Sequence, residues 1–176
     1  MPEWLTELKD YLISKMKEEA GAKFEEELSK AVAKMSDSDL DNVKNQFLIF
    51  VLEFTLKQFD NDKFHYVAEV INEVINVYKY EPNNIQKLNM LQNKAKNAAY
   101  AALAASWPAA YIAAKATAKA AAGDASWAAS EAAYIAARAA AWAANAAATD
   151  AVEAAAEAAL TKFVNKLIEI LKESRK

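Results

Sequence analysis

The sequence predicts an all-α fold: a single-domain multi-helix bundle of about eight helices, with an alanine-rich, closely packed C-terminal half. Three observations point there. More than half of the residues from Ala98 to Leu160 are alanine, which loses no side-chain entropy in a helix and buries no polar group. Large apolar residues elsewhere recur at steps of three and four, the helical period. The breaks between these periodic runs coincide with Gly, Pro, Asp and Asn, in a chain holding only 2 Gly and 3 Pro.

Pro2 suits a first helical position, and Trp4, Leu5, Leu8, Leu12 and Met16 form one apolar face, so the first helix is expected to run to about residue 19 and stop at Gly21. The second turns Phe24, Leu28, Ala31, Val32 and Met35 inward. Ser36-Asp37-Ser38-Asp39 supplies capping oxygens for a third helix, from residue 40 to about 59, with Leu40, Val43, Phe47, Phe50, Val51 and Phe54 on its buried side. Asp60-Asn61-Asp62 is the next break. The fourth helix follows on Phe64, Val67, Val70, Ile71, Val74, Ile75 and Tyr78, and ends near residue 80.

Glu81-Pro82-Asn83-Asn84 divides a bulky-core N-terminal part, residues 1–80, from an alanine-rich part, residues 84–174, packed on it within one domain. A fifth helix is expected from 85 to about 105. Ser106 can cap a sixth, with Trp107-Pro108 in its first turn, and Gly123-Asp124 is a stop followed by a cap, so the seventh opens near Ala125. One helix from there to residue 174 would be about 70 Å long at 1.5 Å per residue, too long for a domain of this size. A break at Thr149-Asp150 is therefore expected, with Asp150 and Glu153 at capping-box spacing. The last helix carries Leu160, Phe163, Val164, Leu167, Ile168 and Leu171.

Alanine methyls bury little area, so at ~25 cal/mol per Å² no single one stabilises much. They let helix axes approach closer than the usual ~8–10 Å, and stability then comes from many dispersion contacts. Amid the alanine runs two stripes of large residues stand out. Trp127, Glu131, Tyr134, Arg138, Trp142, Asn145 and Thr149 share one helix face, and Lys96, Tyr100, Leu103, Trp107, Tyr111, Lys115 and Lys119 repeat the pattern upstream. Ala105 to Lys115 and Ala125 to Arg138 form a weak internal repeat of about one hairpin arm.

Composition narrows the function classes. Net charge is −3 with a pI near 5.3, and acidity concentrates in the first half, unlike the basic footprint of a nucleic-acid binder. Absence of cysteine removes disulfides and thiolate chemistry and fits a reducing compartment, so a cytoplasmic location is expected; no signal peptide is visible at the N-terminus. Lys115, Lys119, Asp124, Glu131 and Arg138 interrupt the only long apolar stretch, which argues against a membrane span. His65 is the only histidine. A di-metal carboxylate bundle needs two, so no metal or other cofactor is expected, and the same scarcity leaves few members for a nucleophile-base set. Neither an enzyme nor a small-molecule site is expected.

What remains is the mixed stripe. In one reading Trp127, Tyr134 and Trp142 fill the core against the N-terminal helices, with Glu131 and Arg138 paired or reaching its edge. In the other, Tyr111, Lys115, Trp127, Tyr134, Arg138 and Trp142 form a partner-binding face, since Trp, Tyr and Arg dominate interface hot spots. Lys115 and Lys119 beside Tyr111 mark a basic spot there.

The Pro2-Glu3-Trp4-Leu5 opening, the run Gln46-Phe47-Leu48-Ile49-Phe50-Val51-Leu52-Glu53, and the repeated Ala-Ala-Tyr, Ala-Ala-Arg and Ala-Ala-Trp units resemble the alanine-rich helical immunity proteins of bacteria and their mobile elements. The likeness spans most of the chain. It implies a non-catalytic protein that binds and neutralises a toxin-like partner; no binding residue is carried over from it. Two other classes stay open: a structural or self-associating helical protein, and, more remotely, an ice-binding one. The latter needs regularly spaced threonines, of which Thr117 and Thr149 are too few.

Overall fold

The computed structural model describes the backbone of residues 1–105, 107–143 and 149–174, and their side chains except those of 140–143 and 149–151. Among the described residues there are eight helices and no strand: α1 (Glu3–Ser14), α2 (Glu18–Val32), α3 (Asp37–Leu56), α4 (His65–Tyr80), α5 (Ile85–Ala104), α6 (Pro108–Ala121), α7 (Ala125–Ala143) and α8 (Thr149–Glu173). None of them is long and apolar enough to cross a membrane.

Local chemistry sets most of the starts. Ser36 and Asp39 form a reciprocal capping box on α3, the Asp39 N–H donating to Ser36 Oγ at 3.2 Å and the Ser36 N–H to Asp39 Oδ2 at 3.0 Å. Asp60 Oδ1 accepts from the backbone of Asp62 and Lys63, turning the chain ahead of α4, and Asn84 Oδ1 accepts from Lys87 N to open α5. Pro108 sits in the first turn of α6 behind Trp107. The expected cap Ser106 lies outside the described residues. α7 and α8 are separate helices packed on each other. The second begins at Thr149, one residue ahead of the expected cap Asp150, whose side chain is also outside the described set.

Two expectations need correction. The first helix ends at Ser14 rather than near residue 19, and Gly21 is not its stop but a buried residue inside α2. A Cβ at Gly21 would stand 3.3 Å from Ile13 Cγ2, so this glycine permits close packing of α2 against the end of α1. Phe50 and Phe54, expected deep on the buried side of α3, are only half-buried. α3 packs against α4, α6, α7 and α8, and burial from several sides rotates its fully enclosed face onto Val43, Phe47, Leu48, Val51 and Leu52. Phe50 and Phe54 instead meet Phe163 of α8 edge-on, at 6.0 and 5.0 Å between centroids, while Phe47 and Phe163, 6.4 Å apart, have no exposure.

The main buried cluster draws on all eight helices. Through residue 80 it is built from Leu, Val, Ile and Phe, and in α6 and α7 almost wholly from alanine. α6 lies against α3, α4, α5 and α7, which bury every described residue of its interior turns except Tyr111, Lys115 and Lys119. A helix enclosed on so many sides needs side chains small enough to pass neighbours at close range. Tyr78 of α4 ties its far end down, donating its hydroxyl to Ala120 O at 2.5 Å; burial pushes that phenol far above the ordinary tyrosine range.

Candidate partner-binding face

The α6–α7 hairpin positions the stripe. Ala122-Gly123-Asp124 joins the helices, with Gly123 at φ 76°, in the left-handed region that glycine enters without a Cβ clash. The Asp124 N–H donates to Lys119 O and the Gly123 N–H to Ala120 O, at 3.0 and 2.8 Å, a Schellman pattern that satisfies the last carbonyls of α6. Asp124 then begins the next helix by accepting from Trp127 N at 3.1 Å. One tight turn thus both ends α6 and starts α7, so the register between them is fixed.

That register places residues from the two helices in rungs. Nearest the turn, Lys119 Nζ lies 4.8 Å from the centre of the Trp127 ring and 3.8 Å from Asp124 Oδ2. One helical turn further, Lys115 Nζ meets Glu131 Oε1 at 2.6 Å and stands 5.5 Å from the Tyr111 ring. The hydrogen bond to Glu131 raises the Lys115 pKa above its ordinary value, and the nearby Tyr111 and Tyr134 hydroxyls push the same way, against partial burial. Behind this rung Tyr11 of α1 approaches Ser130 and Glu131; burial is the main cause of its raised pKa.

The two described aromatics of the α7 stripe are surface. Trp127 is 54% exposed and Tyr134 50%, which overturns the reading that these aromatics fill the core against the N-terminal helices. The physical reason is the alanine on the other sides of α7: Ala128, Ala129, Ala132, Ala133 and Ala136 take the buried positions because methyls fit there and indoles do not. Of the expected set, Tyr111, Lys115, Trp127 and Tyr134 come together on the hairpin. Arg138 is half-buried one turn beyond Tyr134, and the side chain of Trp142 lies outside the described residues.

Two neighbours that the sequence placed beside the six expected binding residues, Glu131 and Lys119, prove to hold them in position. Glu131 is the buried anion that holds Lys115 in place, its side chain 10% exposed against 40% for the lysine. Lys119 braces the Trp127 indole, and its four-residue step from Lys115 already placed it on that face. On α5, Lys94 reaches Glu69 and Glu73 of α4 at 3.2 and 2.8 Å, while Lys96, Tyr100 and Leu103, at helical spacing on another side of the helix, are all exposed. At the α5–α6 turn Trp107 packs at a tilt against Phe64, 5.0 Å between ring centres, with Lys63 Nζ over both rings.

A groove of about 590 Å³ lies elsewhere, between α2 and α8, lined by Met16, Phe24, Val164 and Ile168. Its apolar floor is already buried by those helices, and Lys172 spans it to Glu27 at 3.6 Å. Among the described residues no three His, Cys, Asp or Glu side chains gather as a metal-binding group, and His65 is an exposed first residue of α4. No protein family, curated protein or solved structure matches the chain.

Proposed function

We propose that this chain is a non-catalytic, partner-binding protein whose recognition surface is the outer side of the α6–α7 hairpin. One observation carries the reading: Trp127 and Tyr134 remain about half exposed on α7, a helix capped by Asp124, with Trp127 braced by Lys119 rather than folded inward. Large, pre-positioned aromatics lose little entropy on binding and supply most of the energy at interfaces. The immunity-type role implied by the resemblance, neutralising a toxin-like partner in the cytoplasm, is the more specific form of the same proposal. An ice-binding role draws no support from Thr117, which is buried with its hydroxyl donating to Ala113 O at 2.8 Å.

The test pairs stability with capture. A Trp127→Ala/Tyr134→Ala double variant is expected to melt within a few degrees of the parent, since exposed truncations cost within about 0.5 kcal/mol each. It is also expected to lose a stoichiometric partner that the parent retains in size-exclusion chromatography with light scattering. Retention of that partner by the double variant moves the surface elsewhere on the molecule. A homo-oligomer as the only species points to the self-assembling alternative.

A further inference from the structure

We infer that the α5–α6–α7 face receives an acidic, apolar-studded segment of a partner protein; this rests on the partner-binding reading above and specifies its chemistry. Charge is divided unevenly along the chain: residues 1–80 hold 10 basic and 16 acidic side chains, residues 81–176 hold 11 and 8. Between 81 and 122 there are five lysines and one acid, Glu81. Lys87 pairs with Glu81 and Lys94 with Glu69 and Glu73, which leaves Lys96, Lys115 and Lys119 as the cations of the face, against the hairpin's own Asp124 and Glu131.

Geometry sharpens the sign. Both anions of the hairpin sit behind their cations: Glu131 is nearly enclosed beneath Lys115, and Asp124, busy capping α7, is less exposed than Lys119. An approaching partner therefore meets Lys96, Lys115 and Lys119 first, set among Tyr100, Leu103, Tyr111, Trp127 and Tyr134. Ammonium groups held against rings and carboxylates are already ordered, so a partner carboxylate binds them with less loss of side-chain freedom. Acidic groups supply the complement to the lysines, and interspersed apolar side chains the complement to the rings.

The other occupants fit less well. A second copy laid face to face opposes lysine to lysine. A nucleic acid, charged at every residue and without apolar side chains, would track beyond the few exposed lysines and leave the rings unmatched.

The experiment uses the full chain and fluorescence anisotropy of three labelled probes at low salt. These are a peptide of about 14 residues alternating glutamate with leucine, its glutamine twin, and an oligothymidine of similar length. The glutamate peptide is expected to bind about tenfold or more tightly than its twin, to lose that margin at about 0.5 M salt, and to weaken severalfold in Lys96→Gln/Lys119→Gln, a variant that melts as the parent does. Equal binding of the two peptides, with loss in Trp127→Ala, overturns the acidic partner and leaves the face standing. Peptide binding indifferent to Trp127→Ala and to the lysine variant overturns both. Tighter oligothymidine, self-assembly of the unliganded chain at assay concentration, or no peptide binding at about 1 mM also overturns the inference.

Discussion

Residues 1–80 and helices α5 to α7 solve the same packing problem in opposite ways. In α1, α3 and α4 the large apolar side chains point inward, with Leu5, Leu8, Leu12, Phe47 and Ile71 fully enclosed and charges outside. In α6 and α7 the order is largely inverted: apart from Ile112 and Ile135, the inward residues are mostly alanine, while Tyr111, Lys115, Lys119, Trp127 and Tyr134 turn outward. The difference teaches what sets helix spacing. Where side chains are bulky, the core is filled by volume; where they are methyls, it is filled by proximity of backbones, and the large residues remain where proximity does not apply. An aromatic stripe at helical spacing in an alanine-rich helix thus marks the outside, the reverse of its ordinary meaning.

The two regions accordingly differ in which substitutions break them. The bulky half, with α8 packed against α2 and α3, is sensitive to loss of volume. Phe163→Ala removes the ring on which Phe47, Phe50 and Phe54 converge, and is expected to cost about 3–5 kcal/mol in urea unfolding. A loss below about 1 kcal/mol there would mean that the aromatic cluster is peripheral and that the two halves do not differ in kind.

A smaller effect is expected in the alanine half, at its turn. Gly123→Ala places a Cβ on a left-handed residue and 3.1 Å from Lys44 Nζ. The lysine end can move aside but the backbone cannot, so the cost is that of the conformation, about 1–2 kcal/mol. An unchanged melting temperature would show that the α6–α7 register does not depend on this turn, and the rungs of the binding face would lose their anchor.

Much of this was legible in the sequence, in so far as local chemistry decides it. The Ser36–Asp39 box, the Gly123-Asp124 stop and cap, and Pro108 in the first turn of α6 are all signals whose physics is contained in four or five residues. The break between α1 and α2 was not, because Lys15-Met16-Lys17 contains no Gly, Pro, Asp or Asn, while Gly21 looks like a stop and serves a contact with Ile13 across the chain. The face of the Trp127 stripe was legible as a face. Its direction was not, since periodicity groups residues on a helix without saying which neighbours the remaining sides will accept. Glu131 was legible as a member of the stripe but its partner was not, for a related reason: Lys115 lies on the preceding helix, and only the hairpin register brings them to 2.6 Å.

The central claim is that α6 is held by the closeness of its alanines, and one pair of substitutions tests it directly. Ala113 is fully buried on α6, whereas Ala101 is exposed on α5, and leucine is nearly as good a helix former as alanine at both. Urea unfolding is expected to show Ala113→Leu destabilised by roughly 1–3 kcal/mol through overpacking and Ala101→Leu within about 0.5 kcal/mol of the parent. Equal stabilities for the two variants, with Ala113→Leu as stable as the parent, would mean that α6 has room beside it and that proximity does not hold this half together.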